Sequence, residues 1–173
     1  VSNALAVLAA VDAAGGDLGL AGLALAELGG LPGRGARLLA PVDGGEAIVI
    51  DESYNANPAS MAATLSVLAG EAGRHVAILG EMRELGAGSP GYHQALADPI
   101  EAARVEMALL VGEAMAPLAQ ALEGRVKFVH VPTAAAALEV LPGMLAPGDA
   151  VLVKGSNGVG LSRDVAALAG GMA

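Results

Sequence analysis

The segment DESYNANP, residues 51–58, concentrates side chains that could bind a polar ligand. It holds two carboxylates, a hydroxyl, a phenol and two amides within eight residues. A short apolar run, residues 47–50, precedes it, and a helical pattern with apolar residues on one face follows it. The segment is therefore predicted to be a polar loop between a strand and a helix, which is where α/β proteins place their ligands.

Asn57 in this segment has two explanations. Asn is a preferred N-cap and Pro is tolerated in the first helical turn, so Asn57 and Pro58 could simply begin a helix. A cap does not explain the other polar side chains, and both readings of Asn57 stay open. The remaining candidates for ligand binding in the segment are Asp51, Glu52, Tyr54 and Asn55.

Two further polar loops follow predicted strands. Residues 80–86 read GEMRELG, and residues 154–160 read KGSNGVG. Because ligands collect beyond the carboxyl ends of parallel strands, the three loops are predicted to form one site on one edge of a sheet. The acids of residues 80–86 could pair with Arg83 or with Arg34, or could be solvated.

The sequence lacks the patterns of several common sites. The glycines at residues 155–160 are ordered G-x-x-G-x-G, which argues against a nicotinamide or flavin cofactor. Lys127 and Lys154 are the only lysines and neither follows a glycine, so the chain has no P-loop. The three histidines are too scattered for a zinc site, and no G-x-S-x-G sequence is present. We expect no metal site in this chain.

Composition excludes further classes of function. The formal net charge is −9 and no basic cluster exists, which argues against nucleic-acid binding. No cysteine is present, so disulfides and thiolate sites are excluded and a reducing cytoplasm is the expected location. No apolar run approaches the roughly 20 residues that span a bilayer, so no membrane partner is expected.

The elements that must position these loops alternate along the chain. Residues 36–42 and 46–50 are predicted to form a β-hairpin around residues 43–45. From there helices and strands alternate, with long helices predicted at 58–71 and 92–104. Strands alternating with helical segments of about 10–15 residues predict an α/β fold, a Rossmann-like and mostly parallel sheet flanked by helices.

The first 33 residues differ from this pattern. Residues 2–11 form a helical pattern with almost no polar face, and a second helix is predicted at 20–28 before a linker at 29–33. A helix that is apolar all round is normally buried in something larger. We therefore expect residues 1–33 to be the helical tail of another domain, and residues 34–173 to be a separate domain of a longer protein.

Five separated stretches of the chain resemble the Mur ligase family, and they occur in the same order. They are residues 2–6 (SNALA), 33–34 (GR), 51–58 (DESYNANP), 80–86 (GEMRELG) followed by His93, and 149–158 (DAVLVKGSNG). On this resemblance residues 1–33 are the end of the family's central ATP-binding domain and the rest is its C-terminal domain. The sequence YNAN, residues 54–57, favours the member of the family that adds a dipeptide.

The resemblance implies an ATP-dependent amide ligase of peptidoglycan synthesis. Its substrates would be UDP-N-acetylmuramoyl-tripeptide and D-alanyl-D-alanine, and the reaction would pass through an acyl phosphate with Mg²⁺ bridging the ATP phosphates. The N-terminal and central domains of the same enzyme would be its partners. Because the chain lacks a P-loop, we expect it to be inactive alone and to bind neither ATP nor Mg²⁺ strongly.

The resemblance also implies roles for individual residues, none of them catalytic. Asn3 would lie near the adenine, Arg34 near the phosphates, and either Asp51 or Glu52 at the ribose. The family more often has two aspartates at this last pair of positions, so the choice between them is open. Tyr54 is assigned to the nucleotide side. The residues assigned to the substrate side are Asn55, Asn57, Lys154, Ser156 and Asn157.

Two alternatives remain. One is another amino-acid ligase of the same family with a different acceptor. The other is a free-standing, non-catalytic module with a Rossmann-like fold that binds a small peptide or nucleotide. The apolar opening helix argues against the free-standing module, because such a module should not expose that surface.

Overall fold

The structure, a computed structural model, describes residues 2–27 and 31–170, without the side chains of Ser2 and Asn3. The chain divides into two compact units, Val1–Gly30 and Leu31–Ala173. The predicted role of Asn3 and part of the predicted linker at 29–33 therefore fall outside the described atoms. The two units are described separately.

The first unit contains two apolar helices, α1 (Ser2–Ala13) and α2 (Leu18–Glu27). Helix α2 begins two residues earlier than the sequence pattern predicts, because the Asp17 carboxylate accepts hydrogen bonds from the backbone N–H groups of Gly19 and Leu20, at 2.7 and 3.0 Å. Leucines on both helices are exposed, among them Leu5 and Leu23. Membership of this segment in a larger domain stays a prediction.

The second unit is built on a six-stranded sheet in the order β1-β2-β6-β3-β4-β5. Strands β1 and β2 form the predicted antiparallel hairpin, and the other neighbours are parallel. The predicted mostly parallel α/β sheet is thus confirmed. The strands are β1 (Ala36–Val42), β2 (Gly45–Glu52), β3 (His75–Gly80), β4 (Val105–Val111), β5 (Lys127–Val131) and β6 (Ala150–Lys154).

In the described part of this unit, six α-helices accompany the sheet: α3 (Pro58–Leu68), α4 (Ser89–Gln94), α5 (Ala97–Ala102), α6 (Ala116–Leu122), α7 (Ala134–Val140) and α8 (Ser162–Gly170). The single long helix predicted at 92–104 is wrong, since two short helices occupy this part of the chain. Pro99 explains the break. In a continuous helix it would have no N–H to donate and its ring would clash with the carbonyl of residue 95, directly after the last residue of α4.

The sheet is buried on both faces. One face packs on α3, α5 and α6 through side chains such as Leu65, Ile100 and Leu118. The other packs on α7 and α8 through Ala137, Val165 and other small or branched side chains. Every residue of β3 and β6 is buried, which explains why their sequences are largely runs of apolar residues and do not alternate between apolar and polar ones.

The topology creates a crevice beside β6. The chain leaves β2 through α3 on one face and leaves β6 through α8 on the opposite face, and β6 inserts between β2 and β3. The loop after β2 and the loop after β6 therefore lead to opposite faces. Adjacent strands that diverge in this way leave a ligand-binding crevice at their carboxyl ends, and here Glu52 and Lys154 are partners in register.

Candidate functional site: two polar cavities at the carboxyl edge of the sheet

The crevice between β2 and β6 is a cavity of about 220 Å³. Six of the residues predicted to bind nucleotide or substrate line it, together with Gly33 and Ser60: Arg34, Glu52, Tyr54, Asn55, Asn57 and Lys154. Residues from the chain before β1, from the end of β2 and from the end of β6 thus meet around one space, which we call the β2–β6 cavity.

Lys154 ties the two sides of the β2–β6 cavity together. Its side chain is 3% exposed, its Nζ donates to the carbonyl of Asn55 at 2.7 Å, and it lies 3.8 Å from the Glu52 carboxylate. Burial lowers the pKa of the Lys154 ammonium, and the carboxylate of Glu52 opposes that shift. The cavity therefore contains a desolvated cation with one near carboxylate.

Arg34 and Tyr54 form the outer wall. The guanidinium carbon of Arg34 lies 4.2 Å from the centroid of the Tyr54 ring, and the tyrosine is half exposed. A guanidinium over an aromatic face is held by cation–π attraction, while its N–H groups stay free to bind oxygen anions in pairs. This wall suits a phosphate or a carboxylate.

The two acids at the end of β2 have different environments. Asp51 is buried, and its oxygens accept hydrogen bonds from the N–H of Gly33 at 2.7 Å and from the N–H and hydroxyl of Ser53 at 3.1 and 2.6 Å. Glu52 retains 26% of its side-chain exposure and lines the β2–β6 cavity. Of the pair left open by the sequence, Glu52 lines the β2–β6 cavity, whereas Asp51 lines a neighbouring, mainly apolar cavity.

Asn57 is an N-cap, as one of its two explanations predicts. Its side-chain oxygen accepts from the N–H of Ser60 at 2.9 Å, and its N–H donates to the Ser60 hydroxyl at 3.0 Å, which completes a capping box. The Asn55 side chain accepts from the N–H of Ala56 at 2.8 Å. Both amides therefore shape the loop, and both also line the β2–β6 cavity.

A second polar cavity, of about 410 Å³, lies farther along the same edge. Its lining comes from the ends of β3, β4 and β5 and from the loop after β6: Glu81, Arg83, Gly112, Glu113, Pro132, Thr133, Gly158 and Val159. We call it the β3–β5 cavity. The Arg83 Nε lies 3.4 Å from Glu81, so the pairing that the sequence left open is between Glu81 and Arg83.

Ser156 and Asn157 occupy different positions. Ser156 is buried, its hydroxyl accepts from the N–H of Arg83 at 2.9 Å, and its own N–H donates to the Glu81 carbonyl at 3.2 Å. It fastens the β6 loop to the β3 loop. Asn157 is exposed and lines a separate, mainly apolar cavity of about 300 Å³ between β1 and α8.

His93 supports the β3 loop from beneath. It is fully buried, its Nδ1 donates to the Ser89 carbonyl at 2.8 Å, and its Nε2 accepts from the N–H of Met82 at 2.9 Å. Both ring nitrogens are thereby satisfied by one neutral tautomer. The histidine that follows GEMRELG in the sequence thus sets the path of that loop.

Sequence reasoning missed part of the β3–β5 cavity. Gly112, Glu113 and Thr133 were not singled out, although each follows directly or closely on the end of a strand. The signal was available, because the rule that ligands collect at carboxyl ends applies to β4 and β5 as well. Those two loops are short and poor in polar residues, so composition alone did not draw attention to them.

Within residues 2–27 and 31–170, no group of three or more His, Asp or Glu side chains is arranged to hold a metal ion. In the same part of the chain, no helix is both long enough and apolar enough to cross a membrane.

A family model described as "Mur ligase, glutamate ligase domain" matches residues 39–157. The chain belongs to this family. It is 38% identical over 114 residues to the UDP-N-acetylmuramoyl-tripeptide–D-alanyl-D-alanine ligase of Escherichia coli (strain K12), which covers 65% of this chain and 24% of that protein. It is 34% identical to the ligase of the same name from Mycobacterium leprae (strain TN), over 93% of this chain and 35% of that protein.

Solved structures show the same likeness. MurF from Acinetobacter baumannii superimposes with a TM-score of 0.85 at 26% identity, covering 98% of this chain and 37% of that one. The MurF ligase of Thermotoga maritima in complex with ADP, at 21% identity and a TM-score of 0.74, shows the shared fold. The chain spans about a quarter to a third of the length of the curated relatives it matches.

Proposed function

We propose that this chain supplies the C-terminal domain, and the tail of the central domain, of a cytoplasmic ATP-dependent ligase that joins D-alanyl-D-alanine to UDP-N-acetylmuramoyl-tripeptide. Residues 1–33 would belong to the central domain and residues 34–173 to the C-terminal one. The observation that carries the proposal is the convergence of six predicted polar side chains on the β2–β6 cavity. The names of the relatives supply the reaction.

The β2–β6 cavity would receive the nucleotide end of the reaction. Arg34 and Lys154 offer two cations for phosphate oxygens, and the Glu52 carboxylate can accept hydrogen bonds from ribose hydroxyls. Tyr54 holds the Arg34 guanidinium at the mouth. Asn3 at the adenine remains an implication of the family resemblance.

The β3–β5 cavity would receive the dipeptide. A free dipeptide carries a carboxylate at one end and an ammonium at the other, and this cavity offers Arg83 for the first and Glu113 for the second. Ser156 fixes the Arg83 backbone. Asn55 and Asn57 would border the substrate from the neighbouring cavity, whereas Asn157 would contribute only through its loop.

In this reaction the γ-phosphoryl group of ATP passes to the terminal carboxylate of the tripeptide, which gives an acyl phosphate and ADP. The amine of the dipeptide then attacks the acyl carbon, and phosphate leaves with its bonding electron pair. The residues described here bind and orient the reactants. Their carboxylates do not form a set that fits Mg²⁺, so no step is assigned to a metal held by this chain.

The test is ligation by the full-length protein that contains this chain. We expect phosphate release that requires ATP, UDP-N-acetylmuramoyl-tripeptide and D-alanyl-D-alanine together. A parallel panel with single amino acids in place of the dipeptide addresses the alternative acceptor. Product formation with a single amino acid and none with the dipeptide would overturn the proposal.

A further inference from the structure

We propose that Asp51 is a positioning residue that clamps the turn formed by residues 31–35 onto the DESYNANP loop and so fixes Arg34 at the β2–β6 cavity. The inference rests on the proposed function, since it assigns Arg34 to the nucleotide phosphates. Asp51 itself would touch no substrate. This role differs from ribose binding, which the family resemblance offered for either Asp51 or Glu52.

Three hydrogen bonds join the turn to the end of β2. The Gly33 N–H donates to the Asp51 carboxylate at 2.7 Å, the Gly35 N–H donates to the Asp51 carbonyl at 2.8 Å, and the Tyr54 N–H donates to the Gly33 carbonyl at 3.1 Å. Arg34 therefore lies between two residues whose backbones are both anchored to Asp51. Its own N–H donates to the Leu31 carbonyl at 2.8 Å and closes the turn.

The fit at Gly33 leaves no room for a side chain. Its φ is +73°, and a Cβ at this position would lie 2.8 Å from the Tyr54 Cβ. Gly33 thus meets both conditions that favour glycine, a left-handed backbone and a close approach by another segment. The close packing of Gly33 against Tyr54 therefore belongs both to the clamp and to the contact between Arg34 and Tyr54.

Asp51 is 5% exposed, so its carboxylate has lost most of its water. Three donors replace that water, two from Ser53 and one from Gly33. A buried carboxylate without partners is costly. The turn of residues 31–35 is therefore strongly favoured in the conformation in which Gly33 donates to Asp51. As a result the Arg34 backbone is ordered before any ligand arrives, and less entropy is lost on binding.

Asp51→Asn tests the clamp in the full-length ligase, and Ser53→Ala is the matched control. Asparagine keeps one oxygen for the Ser53 donors but presents an amide NH₂ to the Gly33 N–H. Alanine at position 53 removes one of the Ser53 donors and leaves the Gly33 bond intact. We expect the KM for ATP to rise on the order of tenfold in Asp51→Asn, with the KM for the dipeptide and the thermal midpoint close to those of Ser53→Ala.

A double-mutant cycle with Arg34→Ala shows whether Asp51 acts through Arg34. If it does, Asp51→Asn will raise the KM for ATP little further once Arg34 is gone. If the double variant instead shows the product of the two single increases in the KM for ATP, the proposal is overturned. It is also overturned if Asp51→Asn and Ser53→Ala have the same KM values and the same thermal midpoint. Neither outcome affects the ligase activity of the wild-type protein.

Hydrogen exchange of the full-length protein provides a readout that does not depend on turnover. Backbone amides of residues 31–35 should exchange faster in Asp51→Asn than in Ser53→Ala. Equal exchange rates of these amides in the two variants would contradict the clamp. Absence of dipeptide ligation by the wild-type protein would instead reject the proposed function, and the exchange result would still decide whether the clamp exists.

Discussion

Asp164, on the buried face of α8, is a carboxyl group without a hydrogen-bond partner in the part of the chain that the structure describes. Burial raises its pKa from 3.8 to about 7. The folded state therefore holds a proton that the unfolded chain has released between about pH 4 and pH 7. In that window stability falls as pH rises, by at most about 1.4 kcal/mol per pH unit, and it levels off above pH 7.

Asp164→Asn removes this dependence, because the amide has no charge to bury. We expect the variant to gain stability over the wild type at pH 8 and to have a clearly smaller advantage at pH 5. Urea unfolding at the two pH values measures the difference. Asp43→Asn, at an exposed turn, is the control. Equal effects of Asp164→Asn at both pH values would contradict the prediction.

Lys154→Met tests the buried cation of the β2–β6 cavity. The substitution keeps the apolar stem but leaves the Asn55 carbonyl without its donor. We expect a loss of about 1–3 kcal/mol in the free energy of unfolding, measured by denaturant titration. Lys127→Met, at an exposed position on β5, should change stability by less than about 0.5 kcal/mol, and a similar loss in both variants would argue against the Asn55 contact.

The sequence allowed the chemical groups of the site to be predicted, but not which way each one points. Asp51 and Glu52 are adjacent acids at a strand end, and either could have faced a ligand. The choice depends on Gly33, eighteen residues earlier, whose N–H binds the Asp51 carboxylate. Ser156, predicted to contact the substrate, likewise accepts a hydrogen bond from the N–H of Arg83 in the loop after β3. Such long-range partners leave no local pattern.

At the scale of elements, the loops after β3 and β6 cross so closely that glycine is required. A Cβ on Gly155 would lie 2.9 Å from the Gly80 Cα and 2.9 Å from the Leu161 side chain. Because one of these neighbours is backbone, it cannot simply rotate away.

Gly155→Ala should therefore destabilise the domain by about 1–3 kcal/mol. Gly91→Ala offers a matched control, since Gly91 is helical in α4 and its Cβ would meet nothing within 4 Å. That variant should gain up to about 1 kcal/mol. Thermal or denaturant unfolding of both variants checks the contrast, and a tolerated Gly155→Ala would mean that the crossing can relax.

Element types were predictable, and their exact extents were less so. The hairpin at β1 and β2 and the buried strands β3 and β6 followed from alternation and from apolar runs. The division between α4 and α5 was missed because the apolar pattern continues across it. A proline can lie inside the first turn of a short helix, as Pro99 does at the third residue of α5, so its presence did not by itself locate the break.

At the scale of the whole molecule, the polar edge offers binding groups without the phosphate loop that activates a nucleotide. The 173-residue chain by itself should therefore release no phosphate from ATP above a buffer blank. The full-length protein under the same conditions is the positive control. Turnover by the isolated chain would show that its own residues suffice for phosphoryl transfer.

The fold class could be predicted from helix and strand alternation, whereas the order of the strands could not. Local patterns predict that strands exist, but the insertion of β6 between β2 and β3 depends on contacts between distant parts of the chain. The β2–β6 cavity is a product of that insertion. Most of its residues could be predicted from the polar loops that follow strands, whereas the role of Arg34 was predicted only through the family resemblance.

The place of β6 also has a consequence for how the protein is made. Lys154 and the Asn55 carbonyl that it binds are 99 residues apart, and β6 is the last of the six strands of this sheet to be synthesised. Until it leaves the ribosome, β2 and β3 each present an unpaired edge, the kind of surface that promotes aggregation. The nascent domain should therefore depend on chaperones late in translation, and a chain that stops short of residue 150 would be a substrate for degradation.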